Sequence, residues 1–283
     1  MRWRSGRASK NVEDRRGSSG LPLGKGGLGC GGLILILVIS YFTGINPLQL
    51  LNVADSVTTS SPATPQGETG TPEDVEGEFV TKILGTTEDT WRAEFAAEGQ
   101  NYREPGLVLY DRATPTGCGM GSSAVGPFYC PADGKIYLDT DFFDALSQRF
   151  GAEGDFARAY VIAHEVGHHV QNLLGISDAV RQRQQRVSRS DANRLSVMLE
   201  LQADCLAGVW GASHRDLLEA GDVEEGLRAA AAIGDDMMQQ RSGRGVQPES
   251  WTHGSSEQRV EWLRRGLQTG DSDACDTFQG ALG

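Results

Sequence analysis

Apolar positions follow different rhythms along the 283-residue chain. Residues 28–45 read LGCGGLILILVISYFTGI, 18 positions without a charge, and a weaker apolar tract continues to Val53. A run of that length suffices to cross a bilayer as a helix. Residues 54–78 carry no apolar side chain larger than valine and are rich in Ser, Thr, Pro, Gly and acids. Such a stretch cannot bury enough surface to fold and predicts a disordered linker. The globular mixture begins at Phe79 and runs to about Phe278.

Within that body the periodicity is mainly helical. Phe156 to Leu174 sets Ala, Val, Ile and Leu at helical spacing, with Gly175 as a natural stop. Helices are also expected over 88–99, from Asp141 towards Phe150, over 178–187, 192–210 and 223–240. Another opens at the capping box Ser255-Ser256-Glu257-Gln258 and runs through Leu267. Leu107–Tyr110 reads as a short strand. Phe128–Cys130 and Lys135–Leu138 flank Pro131-Ala132-Asp133-Gly134, the tip of a hairpin. The expected class is α+β, mostly helical, with a small sheet packed on the strongest helix.

Charge changes the picture at the N-terminus. Residues 1–27 hold seven Lys/Arg against two acids, a balance of +5, whereas the remainder carries −17. An acidic body argues against nucleic acid as a partner. The basic flank before an apolar run predicts a single-pass span with the N-terminus inside. Residues 42–47 offer no small-residue cleavage site, and Cys30 precedes the apolar core rather than following it, so a cleaved leader and a lipoprotein site are disfavoured. The expected plan is a basic cytoplasmic tail (1–27), a transmembrane helix (28–50), a disordered linker (51–78) and an extracytoplasmic domain (79–283) at the cytoplasmic membrane. Four of the five cysteines fall in that domain, which suits an oxidising compartment. Cys118–Cys130, around a short Gly-rich loop, is the safer pair, and Cys205–Cys275 would be the other.

The chemistry sits in the strongest helix. His164-Glu165-Val166-Gly167-His168 is H-E-x-x-H, whose i, i+4 spacing puts two imidazoles on one helix face, one turn apart. They suit one metal ion, and Glu165 is placed to take a proton from a water held there. His169 points about a quarter-turn away. A catalytic zinc needs a third protein ligand. Glu200-Leu201-Gln202-Ala203-Asp204 sets two carboxylates one turn apart among apolar neighbours, with Glu200 the candidate ligand and Asp204 the acceptor for a ligand histidine. The competing reading makes both acids part of a solvated helix stripe. His253, in a Gly/Ser loop, is a candidate donor to an oxyanion, against a role in capping the loop. Tyr129 and Tyr137 are weaker candidates for that donor and His214 reads as structural.

His164–His169 followed by Glu200–Cys205 resembles the bacterial membrane-anchored neutral zinc metallopeptidase family, a branch of the gluzincin-type zincins. Gly126–Pro131, Ile136–Asp139 and Thr252–Arg259 resemble its other signature stretches. The resemblance implies a zincin-like fold, Zn2+ as cofactor, His164, His168 and Glu200 as its ligands, Glu165 as general base and Asp204 hydrogen-bonded behind a ligand. The expected function is a membrane-anchored peptidase acting on peptide or protein substrates. In zincin-like folds extended substrate adds to an edge strand, for which Lys135–Asp139 is the candidate. The alternative is a non-catalytic scaffold that binds a partner protein or an envelope component.

Overall fold

The computed structural model describes residues 1–17, 68–69, 72–122, 126–243 and 245–282. The expected membrane span, 28–50, lies outside them. Among the described residues no helix is long and apolar enough to cross a membrane.

The first departure from expectation is at the N-terminus. Residues 1–17 belong to the same compact unit as residues 67–283 rather than to a separate tail. Val12–Asp14 forms strand β1 and Glu68–Thr69 forms β2. Val12 is fully buried, and Trp3 packs edge-on against Phe79 with ring centroids 5.3 Å apart. Two of the basic residues that suggested a cytoplasmic flank find carboxylates in the body. Arg7 pairs with Glu88 and Asp89, and Arg16 with Asp14 and Asp74.

Helix α1, Val75–Ala97, starts well before the expected Glu88. Its first turn lies in the stretch expected to be linker. Asp74 caps it by accepting from the Gly77 amide at 2.9 Å, and Glu76 and Glu78 favour a helix N-terminus. Then follow β3 (Gly106–Tyr110), β4 (Ala113–Thr116), β5 (Gly119–Ser122), β6 (Phe128–Cys130) and β7 (Lys135–Asp139). β4 and β5 form a separate hairpin, while the main sheet has the order β2-β1-β3-β7-β6. β1, β3 and β7 run parallel, and β6 and β2 are antiparallel to their neighbours. The expected hairpin at 131–134 joins β6 to β7, with Gly134 at φ +69° in the left-handed region that glycine tolerates. β7 is not an edge strand: β3 and β6 flank it, and β6 is the edge on that side, with β2 at the other.

The remainder is helical: α2 (Asp141–Gln148), α3 (Asp155–Leu173), α4 (Ile176–Gln184), α5 (Arg189–Ser213), α6 (Asp222–Ala232), α7 (Asp235–Arg241) and α8 (Ser256–Thr269). α8 opens with the predicted capping box. The single helix expected over 223–240 is two. Gly234 separates α6 from α7, where a Cβ would lie 2.4 Å from the Ser256 backbone nitrogen. The break frees the Asp235 carboxylate to accept from the amides of Thr252, His253 and Gly254. Disulfides join Cys118 to Cys130 and Cys205 to Cys275.

α3 runs through the core and packs against α1, α5 and α6, with β6 also against it. Trp3 donates from Nε1 to Asp155 at the start of α3, at 3.0 Å. The N-terminal segment therefore fixes the helix that carries the histidines. Trp3→Ala should lower folding stability by about 3–5 kcal/mol, the usual cost of emptying a buried aromatic site, read as a fall in the thermal midpoint. An unchanged midpoint would show that the segment is not part of the cooperative unit.

Candidate metal centre

Two helices cross at the site because one position between the histidines lacks a side chain. A Cβ on Gly167 would stand 3.1 Å from both Cα and the carbonyl oxygen of Ala203. With glycine there, α3 and α5 approach closely enough for Glu200 to face both imidazoles. His164 Nε2 lies 3.2 Å from Glu200 Oε2, and His168 Nε2 lies 3.5 Å from Glu200 Oε1. One donor atom from each of the three residues falls within 4.8 Å of the others, so the cluster could hold a metal ion. The solvated-stripe reading does not hold for Asp204, which is fully buried.

The other ring nitrogen of each histidine is committed elsewhere. His164 Nδ1 donates to Asp204 Oδ1 at 2.9 Å, and His168 Nδ1 to Gln171 Oε1 at 2.9 Å. Gln171 is held in that sense because its Nε2 donates to the Leu199 carbonyl at 2.7 Å and to Gln202 at 3.1 Å. Both Nε2 atoms are thereby turned towards Glu200, the arrangement that orients imidazoles for metal binding.

Asp204 is held in turn by groups that the sequence pattern did not single out. Tyr160 donates its hydroxyl to Asp204 Oδ1 at 2.6 Å. Arg259 donates from Nε to Oδ2 and from Nη2 to Oδ1, each at 2.9 Å, and also reaches the Tyr160 hydroxyl at 3.1 Å. α8 brings Arg259 there by close backbone contact, since a Cβ on Gly266 would lie 1.9 Å from the Cys205 carbonyl oxygen. Tyr160 stands one helical turn before His164, a spacing visible in the sequence. Arg259 had no local signal beyond lying in the stretch that follows His253.

The electrostatics follow from this packing. Burial alone would disfavour ionised Asp204, but Arg259 and His164 hold it down at about 2. Burial would likewise discharge His164, yet Asp204 and Glu200 carry it up to about 10. Glu200 sits well below its ordinary value, because the two histidines outweigh its burial. A cation at the point where both imidazoles face Glu200 would take the place of the ring protons held there in its absence. Two nitrogens and one carboxylate, with hydrogen-bonded partners behind, fit zinc.

The remaining candidates separate clearly. Glu165 is 7% exposed, and no described group hydrogen-bonds its carboxylate. His169 turns away: its Nε2 donates to the Arg103 carbonyl at 2.6 Å, and its Nδ1 accepts from Tyr129 at 3.1 Å. Tyr137 is buried and donates to Asp133, and His214 is tied to the Thr86 carbonyl. His253 is half-exposed, with Nδ1 3.2 Å from Asp235 Oδ1. The Asp235 hydrogen bond, against partial burial, raises the pKa of His253, and Glu200 adds to the rise. The helix break at Gly234 that positions Asp235 was not visible in the periodicity.

Comparison with known proteins agrees with this geometry. The family described as "Putative neutral zinc metallopeptidase" matches residues 1–278. The chain belongs to this family. It is 50% identical to the uncharacterized protein YpfJ of Escherichia coli K12, over 98% of this chain and 99% of that protein. It is 47% identical to the uncharacterized protein Rv2575 of Mycobacterium tuberculosis, over 64% of each. No solved structure matches it. The family match begins at residue 1 and so includes the segment packed beside β3.

Asp204→Asn keeps the shape but removes the charge that Arg259 and His164 share. Metal affinity should fall by roughly 10–100-fold, the usual effect of losing a partner behind a ligand. Competition with a chromogenic chelator reads it, and unaltered affinity would show that Asp204 does not orient His164.

Proposed function

We propose that this protein is a zinc-dependent peptidase with a zincin-like catalytic domain. The observation that carries the reading is the convergence of His164, His168 and Glu200 on one point, with both Nδ1 atoms engaged behind it. His164, His168 and Glu200 would hold the ion. Bound zinc would supply a water acidic enough to ionise near neutral pH and a charge to polarise the scissile carbonyl.

The chain's own groups do the rest. Glu165 takes the proton of the attacking water and returns it to the leaving amine. Its near-complete burial without a hydrogen-bond partner among the described residues suits a base awaiting water and favours catalysis over a non-catalytic scaffold. His253, oriented by Asp235, donates to the oxyanion that forms at the attacked carbonyl. β6 lies at the sheet edge and against α3, so an extended peptide substrate would add there rather than to β7. The two disulfides and the apolar run at 28–53 support work outside the cytoplasm at the cytoplasmic membrane.

Purified protein should bind about one zinc per chain, and Glu200→Ala little. Glu165→Gln should keep the zinc and lose cleavage of an unstructured protein such as casein. A Glu165→Gln protein that cleaves at the parent's rate would sink the assignment.

His253→Ala should lower kcat by about 100-fold with zinc content unchanged, as for loss of an oxyanion donor. The raised pKa keeps His253 protonated further into the alkaline range, so activity that needs this proton falls as pH rises through that value. Asp235→Asn should move the alkaline fall of kcat/KM to lower pH. A profile that stays in place would remove His253 from the reaction.

A further inference from the structure

We propose that Gln202 is a positioning residue for the metal centre, and that it couples metal binding at His168 to the Cys205–Cys275 disulfide. The inference rests on the proposed zinc reading of His164, His168 and Glu200 and not on peptide cleavage.

A chain of amides leads from the disulfide to the ligand. Cys275 ends a short 3-10 turn, Ser272–Cys275, beyond α8. Its carbonyl accepts from Gln202 Nε2 at 3.1 Å. Gln202 Oε1 accepts from Gln171 Nε2 at 3.1 Å, and Gln171 Oε1 accepts from His168 Nδ1 at 2.9 Å. Gln171 is fully buried and Gln202 nearly so. The sense of the chain is set at its far end. A carbonyl oxygen can only accept, so the Gln202 nitrogen faces Cys275 and its oxygen faces Gln171. Gln171 then presents its own oxygen to His168, which keeps a proton on Nδ1 and offers Nε2 to the ion. The Leu199 carbonyl takes the other hydrogen of the Gln171 amide at 2.7 Å, in the same sense. Gln202 supplies the second acceptor, without which one N–H of a fully buried amide would go unpaired.

The Cys275 carbonyl is held against α5 by a covalent bond. Cys205 lies three residues after Gln202, so the disulfide and the Gln202 amide reach Cys275 from one face of α5. Both cysteines are buried. A further tie is the Thr277 hydroxyl, which donates to the Met198 carbonyl at 2.6 Å. Breaking the S–S bond adds two electrons and two protons and leaves two thiols, which no longer fix the Cα–Cα separation of 5.5 Å. The turn that carries the acceptor can then draw back, and Gln202 loses the partner that orients it. In the opposite direction, an oxidant of the disulfide class that takes two electrons and two protons from these thiols completes the support of His168. His164 has a separate support in Asp204, Arg259 and Tyr160, so the coupling reaches one histidine of the two. The Cys118–Cys130 disulfide joins the turn between β4 and β5 to β6 and lies outside this chain of amides.

The test measures zinc affinity of the purified full chain by chelator competition, beside the thermal midpoint of the metal-free protein. Gln202→Leu should weaken zinc binding by roughly 10-fold, the lower end of the usual effect of losing a partner behind a ligand. Cys205→Ala/Cys275→Ala should weaken it by a similar factor. The combination should lose no more than the larger of the two, since both changes cut one chain. Cys118→Ala/Cys130→Ala should leave the affinity unchanged. Should the chain without Cys205 and Cys275 fail to fold, Cys205→Ala/Cys275→Val, which refills the buried volume, takes its place. In 15N-edited NMR of the zinc-loaded protein, the His168 Nδ1–H signal should shift in Gln202→Leu while that of His164 stays. Unaltered affinity in Gln202→Leu or in the chain without the disulfide, losses that multiply in the combination, or equal shifts at both histidines would overturn the proposal. A parent that binds no zinc would overturn it together with the metal reading, whereas a parent that binds zinc without cleaving peptides would remove the peptidase reading alone.

Discussion

Everything around the site depends on one constraint: ionisable side chains on two crossing helices are buried together and must satisfy one another. His164, Glu200 and Asp204 lie on α3 and α5 where those helices meet at Gly167 and Ala203. An isolated charge at such a place would cost several kcal/mol. The solution is a closed chain of partners, from Arg259 and Tyr160 to Asp204, from Asp204 to His164, and from both histidines to Glu200. The same requirement explains the neighbouring secondary structure. α8 must come close enough for Arg259 to reach Asp204, which Gly266 permits, and the Cys205–Cys275 disulfide ties α5 beside Asp204 to the segment after α8.

A second buried carboxylate organises the other side of α1. Glu88 finds its partners in residues 7–11, which lie far away in sequence and before the apolar run. The charge asymmetry of the chain therefore has a structural meaning: an acidic body receives a basic N-terminal segment as part of its own sheet. The positive-inside expectation treated this segment as a free flank, whereas the structure pairs it as a strand beside β3. The strand pairing is the more specific observation, because it involves a ladder, a buried charge and an aromatic core residue at once.

The metal-binding pattern was legible because its information is local. Two histidines at i, i+4 share a helix face whatever surrounds the helix, and Glu200 and Asp204 repeat that spacing in an apolar stretch. The hairpin at 131–134, the capping box at Ser255 and the strongest helix were also local and were found where expected. The split at Gly234 was hidden, because an Ala-rich run on one side and methionines on the other look continuous to any periodicity. Only the approach of Ser256 forbids a side chain there.

Taken alone, the sequence determined the helix of the histidines and the H-E-x-x-H and E-x-x-x-D spacings, since these depend on residue type and on separation along the chain; it suggested the two cysteine pairs, which the structure then joined. Only the tertiary structure decided that Glu200 and both imidazoles meet, that Arg259 and Tyr160 hold Asp204, that β6 rather than β7 is an edge strand and that residues 1–17 pack into the body, with Val12–Asp14 as a strand of its sheet. Those outcomes depend on which distant backbones come within hydrogen-bonding or van der Waals distance. Such approaches are set by missing side chains at a few glycines and by the need to pair buried charges, neither of which leaves a periodic trace in the sequence.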